Sequence, residues 1–290
     1  MSNTHPTANP HQVTGANGIN LSVTDLGPPD APAIVLIHGW SQAALTWTRQ
    51  HRLADDFRLV IPDLRGHGRS DKPQGQAAYD SASFGGDLAA VIAERGLTRP
   101  VLVGWSMGGW VLADYLRLAG DKNIAGFVLV GSSVTTGTHM PFDAQAQRGN
   151  DPAVAAAGMM GHNYADELSA TVAFLRACFH RQPDPDDLAV MTGFNMATSY
   201  DARQSRRRSE DYRPVYARTT SPALVIRGRH ERLSMPAMHD ETMASLPRAQ
   251  ALTYDHSGHA PFWEEPDRFN SDLASFVRAC HDHTPDRHRP

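Results

Sequence analysis

An α/β architecture with a mostly parallel sheet is predicted by two features of this chain. Short, largely apolar runs of strand length recur along it, and amphipathic helical stretches alternate with them. The runs at 33–37, 58–61, 101–103 and 127–130 are too short for helices, and they lack the polar alternation of a strand with one wet face. A third feature is the loss of this rhythm between 140 and 205 and its return at 223–226, which predicts an insertion into the sheet domain.

Taken in order, residues 1–18 are rich in Pro, Asn, His and Gly, and the first ten are expected to be disordered. Residues 21–26 read as an edge strand ended by Gly27-Pro28-Pro29, and 33–37 as a buried strand followed by a helical stretch over 43–51. The next strand, 58–61, is stopped by Pro62. Residues 81–95 carry Phe84, Leu88, Val91 and Ile92 at helical spacing, with Ser81 as the expected N-cap. The 101–103 strand leads into a helix over 107–119, and the apolar run Phe127-Val128-Leu129-Val130 follows. Only helical patterns occur from 140 to 205, for example Leu168, Val172, Leu175 and Phe179. Strands at 223–226 and 251–254 are each followed by a helix, and the tail 281–290 is expected to be loose. The organisation read from this is a core made of 1–139 and 206–290, with a helical insertion at 140–205.

Composition narrows the function. The chain has 290 residues, 41% of them apolar, which is ample for a packed core. A net charge of −4 leaves no global basic field for nucleic acid. The arginine-rich stretch from Arg203 through Arg206-Arg207-Arg208 to Arg218 also holds Asp201, Glu210 and Asp211, and reads as a solvated helix face. Two distant cysteines, Cys178 and Cys280, indicate no disulfide framework and fit a reducing compartment. No secretory signal pattern opens the chain, and no segment reaches the roughly 20 apolar residues of a membrane span. A soluble, cytoplasmic protein is expected, acting on a small molecule, with no membrane partner; self-association is left open. The 15 histidines form no paired-histidine helix motif and no cysteine–histidine cluster, and no glycine-rich lysine loop cradles phosphate, so neither metal nor other cofactor is expected.

The chemistry concentrates at Gly104-Trp105-Ser106-Met107-Gly108-Gly109. A serine between glycines, directly after a strand and before a helix, is the pattern of a nucleophile elbow. The turn is so tight that side chains at 104 and 108 would strike the backbone, and glycine removes them. A serine hydroxyl is a weak nucleophile and needs a base, which in turn needs an orienting carboxylate. The base candidate is His259 in Ser257-Gly258-His259-Ala260-Pro261-Phe262, just past the last strand, with His256 as the nearby competitor.

At this point the chain resembles the α/β-hydrolase superfamily, specifically its cap-bearing esterases and cofactor-free haloperoxidases. Four segments carry the likeness: Leu36-Ile37-His38-Gly39-Trp40; Asp63-Leu64-Arg65-Gly66-His67-Gly68-Arg69-Ser70; the elbow; and His259 running on to Phe262-Trp263-Glu264-Glu265-Pro266. The resemblance implies a mostly parallel sheet flanked by helices, with a helical cap inserted after the sixth strand. It implies Ser106 as nucleophile, His259 as general base, and the backbone N–H groups of Trp40 and Met107 as oxyanion hole. His38 and His67 would shape loops. The orienting acid departs from the common pattern. Where these enzymes usually place aspartate, three residues after the strand-ending Gly228, this chain has Glu231. Asp143 and Asp255 are the alternatives, and Glu231 could instead pair with Arg229 or Arg232 on the surface.

The 140–205 insertion holds Met140, Met159, Met160, Met191 and Met196 along with Phe142, Phe174, Phe179 and Phe194. Pliable methionines suit an irregular apolar cavity, although any one of them can equally pack insertion against core. Trp105, Phe142, Met160 and Met191 are the substrate-contact candidates. The expectation is hydrolysis of a medium-sized, largely apolar carboxylic ester or lactone through an acyl-enzyme. Perhydrolysis of the haloperoxidase type and cofactor-free dioxygenation are the enzymatic alternatives, and a ligand-binding member without turnover is a third.

Overall fold

The buried runs become the centre of a single sheet. A computed structural model describes residues 10–282, so the predictions for 1–9 and for the tail beyond Asp282 lie outside the described residues. Its strands are β1 His11–Thr14, β2 Asn20–Leu26, β3 Ala33–Ile37, β4 Arg58–Pro62, β5 Val101–Trp105, β6 Gly126–Val130, β7 Ala223–Gly228 and β8 Gln250–Tyr254. They lie side by side in the order β1-β2-β4-β3-β5-β6-β7-β8. The pairs β1/β2 and β2/β4 are antiparallel, and all the others are parallel. Every residue of β3, β5 and β6 is buried, as strands covered on both faces must be. β1 escapes the sequence reading because only Val13 of its four residues is buried; it is a polar edge strand with no apolar run to show.

The helices are α1 Ser81–Glu94, α2 Met107–Ala119, α3 Phe142–Asn150, α4 Pro152–Ala155, α5 Tyr164–Cys178, α6 Pro185–Met196, α7 Tyr200–Gln204, α8 Arg213–Tyr216, α9 Pro236–Ser245, α10 Pro261–Glu264 and α11 Pro266–Asp282. The stretch Ala44–Asp55 is 3-10 helical. The N-cap of α1 is Asp80, not Ser81: the Asp80 carboxylate accepts from the Ser83 N–H at 2.7 Å. Ser81 instead donates to Asp114, 2.5 Å away. α1 and α2 pack on each other, while Ala44–Asp55 packs with α10 and α11, Trp47 lying 4.3 Å from Phe262 between ring centroids. Among the described residues no helix is long and apolar enough to cross a membrane.

Between β6 and β7 the chain runs through α3 to α8. The two ends of this helical segment are tied together. Tyr212 N–H donates to the Val134 carbonyl at 2.8 Å, Thr136 N–H donates to that of Glu210 at 2.9 Å, and Thr135 bridges to Asp211. The arginine-rich stretch at its end is only in part the solvated face the charge pattern suggested: Arg207, Arg213 and Arg218 are exposed, but three other arginines turn inward. Arg203 is wholly buried, Arg208 pairs with buried Asp114 at 2.8 Å, and Arg206 stacks over the Trp40 ring at 4.8 Å. Each guanidinium turns inward because a carboxylate, carbonyl or aromatic face awaits it there, which charge periodicity alone cannot reveal.

The strand order decides where a site can form. From β3 the chain goes to β4 on one side and then crosses to β5 on the other, so β3 and β5 flank a topological switch point. The loops leaving such neighbours diverge and open a crevice beyond their carboxyl ends.

Candidate active site

Ser106 stands at the end of β5 with φ 53° and ψ −119°, a conformation that a residue with a side chain rarely adopts. Holding it costs about 1–3 kcal/mol, which the surrounding packing must offset. The neighbours show why glycine flanks it. A Cβ at Gly104 would lie 2.6 Å from the Gly108 backbone, and one at Gly108 would lie 2.3 Å from the Ile37 carbonyl oxygen. The loop after β3 presses directly on the elbow, since a Cβ on Gly39 would come within 3.3 Å of the Ser106 Cβ. Gly39 and the first residue of α2, Met107, therefore lie beside the serine, and Trp40 lines the same cavity. The N-terminal end of α2 adds a partial positive charge there.

Two buried histidines fix that loop. His38 Nε2 accepts from the Leu64 N–H at 3.0 Å while its Nδ1 donates to the Gly39 carbonyl at 2.8 Å. His67 Nε2 accepts from Ser41 N–H at 3.2 Å, and its Nδ1 donates to the Arg65 carbonyl at 2.8 Å. Each ring thus uses one nitrogen as donor and one as acceptor, which only the neutral imidazole can do. Burial pushes His38 down to about 4 and His67 to about 3, the neighbouring His38 adding to the second shift. The β4 loop is closed by Asp63, which accepts from the Ala44 and Arg69 N–H groups at 2.7 and 3.0 Å.

Glu231, in the turn after β7, meets His259, in the turn after β8. The Glu231 Oε2 to His259 Nδ1 distance is 2.7 Å, and the two side chains are 5% and 2% exposed. The other Glu231 oxygen accepts from Leu233 N–H at 2.7 Å. Competing partners are occupied elsewhere: Arg229 pairs with Asp255, and Arg232 with Asp151. Asp143 sits exposed on α3. His256 is exposed as well, its N–H donating to Glu265. Gly131, at φ 52° after β6, makes room for the pair, because a Cβ there would be 2.9 Å from His259 Nδ1 and 3.0 Å from Glu231 Oε2. A carboxylate only accepts, so Nδ1 carries the proton and Nε2 is left as the basic nitrogen.

Ser106 and His259 share the wall of one cavity of about 30 Å³. Its apolar lining is Trp40, Met107, Trp110, Phe174, Leu233 and Met238. Of the insertion residues that the sequence offered for such a cavity Phe174 lines it, whereas the four substrate-contact candidates Trp105, Phe142, Met160 and Met191 do not. Phe142 is 82% exposed at the start of α3. Met191 is buried among the helices between β6 and β7, and Met160 is packed against the core. Trp105 lies behind the histidine, its indole N–H donating to the His259 carbonyl at 2.8 Å with the rings 5.5 Å apart. Apolar character in a helical segment does not distinguish a pocket wall from packing between helices. Trp110, which belongs to the elbow motif and lies one turn beyond Ser106, borders the cavity, whereas the sequence reading missed two arginines in the lining, Arg148 and Arg206. Nothing in the sequence marks the arginines as inward-facing.

Comparison with known proteins bears on the fold and the family. A putative aryl esterase from Burkholderia cenocepacia is 33% identical, with a TM-score of 0.86 over 94% of this chain and 100% of that one. The pimeloyl-[acyl-carrier protein] methyl ester esterase of Vibrio vulnificus is 28% identical over 85% of this chain and 94% of its own length. A bifunctional esterase/perhydrolase of Acinetobacter calcoaceticus is 36% identical over 122 residues, 41% of this chain and 44% of that protein. The family model described as the alpha/beta hydrolase fold matches residues 32–266, a span that takes in the elbow, the Glu231–His259 pair and strands β3 to β8. With the strained serine at a strand-to-helix turn and the parallel sheet behind it, the match has a physical basis, and the chain belongs to the α/β-hydrolase family.

Proposed function

We propose that this protein hydrolyses carboxylic esters, including cyclic ones, through an acyl-enzyme on Ser106. The observation that carries the reading is the 2.7 Å Glu231–His259 contact at the wall of the cavity that Ser106 also lines. His259 Nε2 takes the Ser106 proton as Oγ attacks the ester carbonyl, and Glu231 holds the ring in the Nδ1–H tautomer and stabilises the imidazolium. The Trp40 and Met107 N–H groups receive the oxyanion, favoured by the N-terminus of α2. The tetrahedral intermediate collapses as His259 returns the proton to the leaving alcohol. Water, deprotonated by His259, then releases the acid and frees Ser106. The names of the similar proteins, an aryl esterase and a methyl ester esterase, support ester cleavage as the reaction class.

The cavity has room for little more than a water molecule. Substrate admission therefore needs a movement of the lining contributed by Arg148, Phe174 and Arg206, which all come from the helical segment between β6 and β7. In this reading that segment acts as the cap over the site.

A fluorophosphonate probe, run beside a panel of aryl esters, alkyl esters and lactones, tests the reading. Wild type is expected to be labelled and active, and Ser106→Ala to be neither. Equal labelling of both proteins would overturn Ser106 as nucleophile. The esterase/perhydrolase among the similar proteins favours a second reading, in which hydrogen peroxide replaces water in the last step and the acyl group leaves as a peracid. Peracid formation measured with peroxide added to the ester assay decides it.

A further inference from the structure

Two cations face the cavity, and neither has a carboxylate partner among the described residues. Arg148 projects from α3, and its guanidinium donates to the soft sulfur of Met140 at 3.2 Å. Arg206 follows α7. It donates to the Ala155 carbonyl at 2.6 Å and to that of Val154, and its guanidinium carbon lies 4.8 Å from the Trp40 ring centroid and 5.9 Å from that of Phe174. Carbonyls and ring faces hold it in place without cancelling its charge. The two guanidinium groups are close enough to repel: burial first, and Arg148 second, push Arg206 down to about 9, so it remains cationic at neutral pH. Glu231 is the carboxylate that acts on Arg148, and both of its oxygens are already committed to His259 and Leu233.

Like charges kept side by side, half-buried and without counter-ion, are costly unless an anion joins them. The oxyanion of the reaction is not that anion, since it forms beside the Trp40 and Met107 backbone. The guanidinium donors are planar forks suited to a carboxylate. We infer that Arg148 and Arg206 form an anion subsite and that the preferred ester or lactone carries a free carboxylate held there while Ser106 attacks the carbonyl. This rests on the serine-hydrolase reading above and narrows it to monoesters of dicarboxylic acids and lactones bearing an acid side chain. It also replaces the expectation of a largely apolar substrate with one whose far end is charged.

The test compares 4-nitrophenyl monoesters of short dicarboxylic acids with the 4-nitrophenyl esters of monocarboxylic acids of matched length. Wild type is expected to favour the charged ester by about tenfold to a hundredfold in kcat/KM, the range a charged hydrogen bond supplies. The preference is expected to shrink with added salt and to collapse toward unity in Arg148→Met. Arg148→Lys should keep part of it, and also serves if the methionine variant fails to fold. Equal or better use of the neutral ester by wild type overturns the subsite while leaving the hydrolase reading intact. An undiminished preference in a folded Arg148→Met does the same. Failure to hydrolyse any ester, together with no fluorophosphonate labelling, instead overturns the hydrolase reading on which the subsite depends.

Discussion

Glu231 binds two partners from opposite ends of its carboxylate: Oε2 meets His259 Nδ1 and Oε1 meets the Leu233 N–H, each at 2.7 Å. The second contact fixes the turn after β7, and the first fixes the imidazole. Glu231→Gln separates the two, because the amide oxygen can still accept from Leu233 while its NH₂ now faces a nitrogen that must become an acceptor. The wrong tautomer then points at Ser106. A fall in kcat of roughly a thousandfold or more is expected, with little change in thermal stability. Ester kinetics and a melting curve on the same preparation check both halves.

Gly131 leaves no room for change. In Gly131→Ala a methyl group would press on His259 Nδ1 and Glu231 Oε2, at a φ of 52° that already disfavours a side chain. The variant is expected to lose about 1–2 kcal/mol of stability from the backbone and to lose ester turnover through displacement of the pair. Gly120→Ala is the control, because its φ is also positive and nothing lies within 4 Å of the added carbon. It should share the stability loss and keep its activity.

Acid should destabilise the fold before the carboxylates titrate. His38 and His67 are held neutral in the folded protein, down to about 4 and about 3, while in the unfolded chain they bind protons near the ordinary histidine value of about 6.5. The unfolded state therefore binds more protons below that value. The stability that neutral burial confers is complete above about 6.5 and is lost as pH falls toward 4 and 3. Each ring contributes up to about 1.4 kcal/mol per pH unit across its window. Urea denaturation at pH 7, 6 and 5 should show a falling midpoint, with a shallower slope in a folded His67→Asn variant.

The ion pair of Arg65 and Asp87 should behave as a unit. Both Arg65–Asp87 contacts are 2.6 Å, and both side chains are almost wholly buried. Removing one partner leaves an unpaired buried charge, so Arg65→Met is expected to cost about 3–5 kcal/mol. Adding Asp87→Leu should recover part of the loss, and a double-mutant cycle in urea measures the coupling.

Cys178 and Cys280 are free and buried, and burial raises both thiols, that of Cys280 to about 11. A thiol reagent at neutral pH is expected to find no fast-reacting group in the native protein and both in urea.

What the sequence disclosed was whatever local sterics and strand punctuation control. The buried runs announced β3, β5 and β6 because a strand covered on both faces has no polar positions to confuse the pattern. The turn at Ser106 was legible because only glycine tolerates the backbone approaches at 104 and 108. β1 stayed hidden for the opposite reason, with one buried residue in four. The direction of side chains in the helical segment was not legible either. Phe142 faces solvent and Arg206 faces the cavity, the reverse of what their hydropathy suggests, because long-range partners such as Trp40 decide it.

The backbone of His259 is held from two sides. Its carbonyl accepts from Trp105 at the end of β5, and its N–H donates to the carbonyl of Cys178, the last residue of α5, at 2.8 Å in both cases. One anchor belongs to the sheet and the other to the helices above it. An excursion of α5 large enough to widen the cavity would also release one of the two restraints on the base. On the proposed mechanism, widening the cavity and loosening the base would then be a single event.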